Sequence, residues 1–149
     1  MIKNVKDKNE IIPLWQEAFG DSKEEIEFFL NNADYECKGI YINNVLSSML
    51  LLFKCRLKDE DFNYIYAACT YNDFKKQGLM TELLDYCKKE YPSICLIPAD
   101  EGLTDYYKKR GFVNDAKLSD IKFSESKEIQ EWLFEGCNLK HPMVLYYKR

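Results

Sequence analysis

The hydrophobic residues of this chain follow two periods, and each period predicts its own kind of element. Apolar side chains spaced three and four residues apart lie on one face of a helix, and five segments show this pattern. Capping residues mark the first two starts, because Asp7 precedes one segment and Ser22 and Glu25 form a capping box before the next. The predicted helices cover residues 7–20, 22–30, 78–91, 100–111 and 129–136.

Shorter segments rich in β-branched and aromatic residues predict strands at 38–42, 45–57, 62–70, 94–97 and 143–147. The dipeptide Asn43-Asn44 tolerates the positive φ angles of a tight hairpin and joins the first two strands. A charged turn over residues 58–61 leads into the third predicted strand. Consecutive strands favour antiparallel hairpins, whereas strands separated by a helix favour crossovers. We therefore expect one domain over residues 1–149, of mixed α/β class.

The composition is that of a folded domain with neither a nucleic-acid nor a membrane partner. Apolar residues make up 46% and charged residues 31%, which argues against a disordered chain. The net charge is −4, and no run of Lys and Arg marks a nucleic-acid surface. The longest apolar run, residues 45–53, is nine residues long, well below the ~20 residues of a membrane-spanning helix.

Histidine and cysteine usage excludes several kinds of site. The single histidine, His141, argues against His-rich zinc sites and Ser-His-Asp relays, and we expect it in a surface loop. No cysteine pair has the Cys-x-x-Cys spacing, and the charged start of the chain does not resemble a signal peptide. We therefore expect a cytoplasmic protein without a metal, with reduced and buried cysteines at positions 37, 55, 69, 87, 95 and 137.

A segment from Tyr66 to Thr81 combines a strand, a polar turn and a helix start. The first amides of a helix are unpaired and carry partial positive charge, so this order of elements can bind an anion. Gly78 allows close approach of the backbone, and Lys75 and Lys76 add positive charge. The competing interpretation is an ordinary strand-to-helix junction with solvated lysines. The sequence contains neither a Walker loop nor a Gly-x-Gly-x-x-Gly fingerprint.

A second segment, residues 105–112, places Tyr106 and Tyr107 at the end of a helix beside Lys108, Lys109 and Arg110. A phenol has an ordinary pKa near ~10, so it is protonated at neutral pH and can donate a proton. For either tyrosine taken alone, a packing role in the core or at its boundary is the favoured interpretation.

Together and in this order, the two segments resemble motifs of the GNAT family of acetyl-CoA-dependent N-acetyltransferases, in particular a bacterial subgroup of uncharacterised members. The family's coenzyme loop reads Gln/Arg-x-x-Gly-x-Gly/Ala, and here residues 75–80 read Lys-Lys-Gln-Gly-Leu-Met. Lys75 replaces the usual first residue, and Met80 replaces the second small residue. Tyr107 stands four residues before the Gly111-Phe112 pair, as in many members. The resemblance implies a central mixed, mostly antiparallel sheet flanked by helices.

The resemblance also implies a site for acetyl-CoA as co-substrate. Amides from about Lys76 to Thr81 would hold the pyrophosphate, and the end of the preceding strand would lie along the pantetheine arm. An amide at Cys69 or Thr70 would polarise the thioester carbonyl, and Tyr107 would protonate the departing thiolate. The implied coenzyme-binding residues are Ala68, Cys69, Thr70, Lys75, Lys76, Gln77, Gly78, Leu79, Met80 and Thr81.

The chain departs from the family pattern at two positions. Where some members carry a glutamate base, this chain has Tyr64, and residues 62–70 contain no carboxylate. Asp100 stands where many members use an asparagine to bind pantetheine, and we interpret it first as a helix cap. No general base is identifiable from the sequence.

Two functions follow from these observations. The first is acetyl transfer by direct attack of a primary amine, on a small molecule or a peptide. The second is a coenzyme-binding or protein-interaction module that keeps the fold with little or no turnover. Edge strands of such a sheet are compatible with a homodimer. The first two helices hold acidic residues that would favour a cationic acceptor: Glu10, Glu17, Asp21, Glu24, Glu25 and Glu27.

Overall fold

The computed structural model of the protein describes residues 2–135 and 142–149. His141, Cys137 and the predicted helix end at Gly136 lie outside the described residues. The strands are β1 (Ile2–Asn4), β2 (Glu36–Ile42), β3 (Val45–Leu57), β4 (Glu60–Thr70), β5 (Ser93–Leu96), β6 (Asn114–Ala116), β7 (Ile121–Phe123) and β8 (Val144–Lys148). The helices are α1 (Lys8–Phe19), α2 (Lys23–Asn32), α3 (Leu79–Glu90), α4 (Glu101–Lys108) and α5 (Lys127–Phe134).

All five predicted helices are present, and their capping chemistry explains where they begin. The Asp7 carboxylate accepts from the Asn9 amide at the start of α1, and Gly20 ends that helix in the left-handed region at φ 79°. The Ser22 hydroxyl and the Glu25 carboxylate each accept a backbone amide of the other residue, which is the predicted capping box. Asp100 caps α4 by accepting from the Leu103 amide at 2.8 Å.

The sheet has the strand order β1-β2-β3-β4-β5-β8-β6, with β7 paired to the second half of β3. Neighbouring strands are antiparallel except β4 and β5, which are parallel. The fold is therefore a single α/β domain with a mixed, mostly antiparallel sheet flanked by helices, as expected. The hairpin between β2 and β3 turns at Asn43 and Asn44, both at positive φ.

A gap lies between the parallel strands β4 and β5, beyond the residues at which they pair. β4 and β5 pair at Asn63 with Ile94 and at Tyr64 with Cys95. β5 ends at Leu96, whereas β4 continues to Thr70. The second half of β4 consequently has β3 on one side and no strand partner on the other among the described residues.

Two hydrophobic layers cover the two faces of the sheet. The alternation of a strand places Leu51 and Phe53 of β3 in one layer and Leu50 and Leu52 in the other. Helices α1, α2 and α5 contribute to the first layer, and α3 and α4 contribute to the second. The gap between β4 and β5 therefore lies between two different sets of helices.

Three strands were not predicted. β1, β6 and β7 are three residues each, too short for a two-residue alternation to stand out. β4 also begins earlier than predicted, at Glu60, because the turn before it needs only Lys58 and Asp59 at positive φ.

Three further properties of the described residues concern their cysteines, possible metal ligands and the length of their helices. Cysteines 37, 55, 69, 87 and 95 are buried and form no disulfide, as expected. Within the described ranges, no three His, Cys, Asp or Glu side chains are grouped so as to hold a metal ion. None of the described helices combines the length and apolarity needed to cross a membrane.

Candidate active site

A cleft of about 470 Å³ occupies the gap between β4 and β5. One wall is formed by residues 65–68 of β4. Leu96, Ile97 and Ala99, at the end of β5 and just after it, form the opposite wall. Leu103 and Tyr107 of α4 line one end, and residues of α1, α2, α5 and the segments that flank them line the other. The cleft thus passes through the sheet and joins its two faces.

A β-bulge lies in the β4 wall of the cleft. Met49 pairs with Cys69 and Leu51 with Tyr66, so Leu50 alone opposes both Ala67 and Ala68. Ala67 takes a φ of 54°, in the left-handed region. A bulge leaves one residue out of the ladder, and here it lies in the part of β4 that has no second strand partner among the described residues. Ala67 and Ala68 both line the cleft, so a ligand there would lie against the backbone of the bulge.

Tyr107 forms part of the cleft wall and is 9% exposed. Its ring packs edge-on against Tyr106 and Phe112, at centroid distances of 5.3 and 5.9 Å. Burial, followed by the proximity of Tyr106 and Cys69, raises the pKa of the Tyr107 phenol to about 12, while Arg110 acts in the opposite direction. The hydroxyl makes no hydrogen bond to any described residue, so it is available to a bound molecule.

The loop before α3 has the geometry of an anion site. Gly78 lies at φ 78° and Lys76 at φ 65°, and no side chain caps the first turn of α3. A Cβ at Gly78 would meet nothing within 4 Å, so the left-handed backbone rather than lack of space favours glycine here. Lys75, Lys76 and Gln77 are exposed, and the first amides of α3 have no partner inside the helix.

Arg110 brings a further cation to this helix start. Its Nε donates to Thr81 Oγ1 at 3.1 Å, its Nη1 donates to the Tyr106 carbonyl at 2.9 Å, and its guanidinium lies 3.5 Å from the centre of the Tyr106 ring. A cation beside a helix N-terminus opposes the helix dipole, so this arrangement is favourable when an anion lies between them. The sequence showed Arg110 only as one of three clustered cations.

Of the ten coenzyme-binding residues implied by the resemblance, only Ala68 lines the cleft. Cys69 and Thr70 face β3, where the Ser48 hydroxyl donates to the Cys69 carbonyl at 3.2 Å and lies 2.8 Å from Thr70 Oγ1. Burial raises the pKa of the Cys69 thiol well above its ordinary value, which makes it a poor nucleophile. Leu79 and Met80 pack in the hydrophobic layer of α3 and α4, which leaves only their backbone for a ligand.

The opposite end of the cleft is aromatic and acidic. Trp15, Tyr66 and Trp132 form its walls, with Trp15 5.9 Å from Tyr66 and 6.2 Å from Trp132 between ring centroids. Asp21, Glu25 and Glu135 line it as well. Of the six acidic residues expected to favour a cationic acceptor, only Asp21 and Glu25 reach the cleft.

The carboxylates at this end differ in their partners. The Trp15 indole donates to Asp21 Oδ2 at 2.8 Å and holds that side chain in place. Burial raises the pKa of the Tyr66 phenol well above its ordinary value, and the negative charges of Asp21 and Glu135 raise it further. Tyr64, which the sequence resemblance set against a glutamate base, donates its hydroxyl to the Leu133 carbonyl at 2.8 Å. Sequence reasoning assigned no role to Tyr66, Trp132 or Glu135, because they come from distant segments.

Solved structures resemble this fold over its whole length. A GNAT family acetyltransferase from Elizabethkingia anophelis with acetyl-CoA bound is 19% identical, with a TM-score of 0.63, over 100% of this chain and 97% of that one. A Bacillus subtilis acetyltransferase in complex with CoA is 16% identical, with a TM-score of 0.62, over 99% of this chain and 97% of that one. The chain therefore has the fold of GNAT acetyltransferases.

A third structure is matched in part. A conserved protein from Enterococcus faecalis V583 is 20% identical over 72% of this chain, with a TM-score of 0.53, and the chain spans only 31% of its length. No protein-family model and no curated protein matches the sequence.

Proposed function

We propose that the protein is an acetyl-CoA-dependent N-acetyltransferase that transfers the acetyl group by direct attack of a primary amine. The observation that carries this proposal is the cleft between β4 and β5, which runs from Leu103 and Tyr107 of α4 at one end to an acidic pocket at the other, in a fold whose helix α3 begins without a side-chain cap. The fold is shared with structures that contain acetyl-CoA or CoA. The cleft supports in-line binding of both substrates.

In this proposal the coenzyme lies along residues 68–81. Its pyrophosphate binds the amides of Gly78, Leu79, Met80 and Thr81, and the positive charges of Lys75, Lys76 and Arg110 lie nearby. Gln77 lies in the same exposed turn. The pantetheine arm passes into the gap beside the bulge, where the amides of Ala67 and Ala68 replace Cys69 and Thr70 as the groups nearest the thioester.

Transfer requires a neutral amine. Its nitrogen attacks the thioester carbon, the C–N bond forms, and the C–S bond then breaks. Bulge amides stabilise the negative charge that develops on the carbonyl oxygen. The nitrogen gives up a proton, which the departing sulfur takes up directly or through solvent. Holding both substrates in line supplies a large part of the rate.

The raised pKa of Tyr107 refines its role. A phenol with a pKa of about 12 binds its proton more tightly than a thiol whose ordinary pKa is ~8.5. Full transfer of the phenolic proton to sulfur is therefore uphill. We assign Tyr107 the role of a hydrogen-bond donor that stabilises the thiolate as the C–S bond breaks.

The test has two parts that separate this function from that of a binding module. Calorimetry with acetyl-CoA measures binding, and release of free thiol with a panel of primary amines, checked by the mass of the acetylated product, measures turnover. Binding together with turnover is the expected result. Binding without turnover on any amine favours the coenzyme-binding module, and the absence of binding at millimolar acetyl-CoA contradicts both functions.

A further inference from the structure

We propose that the acidic end of the cleft binds a diamine, so that one nitrogen is acetylated while a second, cationic nitrogen is held by Asp21 and Glu135. This inference rests on the proposed function and names the class of its acceptor. We call this end of the cleft the acceptor pocket, and define it by Trp15, Asp21, Tyr66, Trp132 and Glu135.

Charge is the first argument. Asp21, Glu25 and Glu135 line the cleft, and none of its described lining residues is a Lys, Arg or His. The Glu25 carboxylate is already engaged, because it accepts from the Ser22 amide, and this contact lowers its pKa. Asp21 Oδ1 and the Glu135 carboxylate accept no hydrogen bond and form no ion pair within the described residues. Two carboxylates are thus open to a cation.

The reacting nitrogen alone does not account for these two carboxylates. An amine must be neutral when it attacks a thioester, so attraction between a carboxylate and its ammonium form is lost before the reaction. A second ammonium keeps its charge throughout and binds equally in the ground state and the transition state, which lowers KM. Two carboxylates without a partner among the described residues therefore favour an acceptor with a permanent second charge.

The aromatic walls suit the carbon chain between two nitrogens. Trp15 is 1% exposed, so its ring is held rigidly, and its indole hydrogen bond to Asp21 sets the position of the carboxylate. Aromatic faces bind both alkyl chains and ammonium groups.

The experiment compares two amines of equal length, 1,5-diaminopentane and 1-aminopentane, by thiol release at fixed pH. We expect kcat/KM to be about 30-fold higher for the diamine, mainly through KM. Asp21→Asn and Glu135→Gln should each reduce this preference by about 10-fold, with the rate on 1-aminopentane measured in each variant as its own reference. Glu24→Gln is the matched control, because Glu24 is an exposed carboxylate near Asp21 that does not line the cleft.

A binding readout keeps the inference separate from the proposed function. In the presence of CoA, 1,5-diaminopentane should raise the Tm of the parent protein but not that of the Asp21→Asn, Glu135→Gln double variant. Equal kcat/KM for the two amines, or a preference that survives in the double variant, overturns the inference. Failure of acetyl-CoA to bind, by contrast, overturns the proposed function itself.

Discussion

The proposed coenzyme loop and the acceptor pocket are built in different ways. The coenzyme loop, residues 75–81, consists of backbone amides and cations, with Arg110 added from the end of α4. The acceptor pocket consists of side chains from three separated segments. A backbone site needs a particular glycine at a particular spacing and leaves a motif, whereas a side-chain site leaves none. This difference explains why the coenzyme loop could be recognised in the sequence and the acceptor pocket could not.

Charge follows the same division. Residues 1–61 hold eight basic and twelve acidic side chains, whereas basic and acidic residues balance over 62–149. The net charge of −4 therefore belongs to the part of the chain that contributes α1 and α2. An anionic end and a cationic end would orient an acceptor amine and a phosphorylated coenzyme in opposite senses.

The largest effect is expected from Gly78→Asp, in the loop before α3. Asn and Asp both tolerate the left-handed region better than other non-glycine residues, so Gly78→Asn is the isosteric control without a charge. The added carboxylate should repel the pyrophosphate and weaken acetyl-CoA binding by about 100-fold relative to Gly78→Asn. Calorimetry measures both constants. Equal affinity of the two variants for acetyl-CoA would show that the phosphates do not bind at this loop.

Tyr107→Phe should lower kcat by about 100-fold and leave acetyl-CoA affinity unchanged, because the ring remains and only the hydroxyl is lost. Tyr106→Phe is the neighbouring control, since its ring can still stack on Arg110. Steady-state kinetics with both substrates varied gives the two parameters. Normal turnover in Tyr107→Phe would indicate that the Tyr107 hydroxyl has no part in catalysis and that the ring only packs in the cleft wall.

Arg110→Gln should weaken acetyl-CoA binding by about 10-fold, because a charge-assisted contact to phosphate is lost. Arg110→Lys should recover only part of this affinity, since lysine keeps the charge but not the planar stack on Tyr106. The salt dependence of binding should also become weaker in Arg110→Gln. Unchanged affinity and salt dependence would limit Arg110 to holding α4 against α3.

The last prediction concerns stability at alkaline pH rather than activity. Burial raises the pKa of Cys37, Cys87 and Tyr107 from 9 or 10 to about 12. The folded state therefore holds these protons after the unfolded state has released them, and stability present below pH 9 is lost as the pH rises towards 12. For Tyr107 alone, the loss is on the order of 3 kcal/mol. Thermal unfolding against pH should show a shallower decline in Tyr107→Phe, and an identical decline would contradict burial of the phenol.

Local signals accounted for most of the fold. Asp7, Ser22 and Asp100 marked helix starts because caps act through neighbouring residues, and Asn43-Asn44 marked a hairpin for the same reason. Strands β1, β6 and β7 were missed because pairing with distant strands, rather than local pattern, stabilises three-residue segments.

The candidate site likewise has one part that local sequence signals indicated and another part that they did not. Gly78 and Tyr107 were indicated by short motifs that resemble those of the GNAT family, and the structure places Gly78 at the start of α3 and Tyr107 in the cleft wall. The bulge at Ala67 could not be anticipated, because nothing in the sequence of β4 indicates which residue leaves the ladder. The presence of Asp21 and Glu135 in the same cleft could not be anticipated either, because they are more than a hundred residues apart in the sequence.

The most direct test of the account is a crystal structure of the protein with coenzyme A. The account predicts the pyrophosphate on the amides of residues 78–81, the pantetheine arm in the gap between β4 and β5, and the thiol within hydrogen-bonding distance of the Tyr107 hydroxyl. Coenzyme bound elsewhere, or a cleft without coenzyme at saturating concentration, would contradict it.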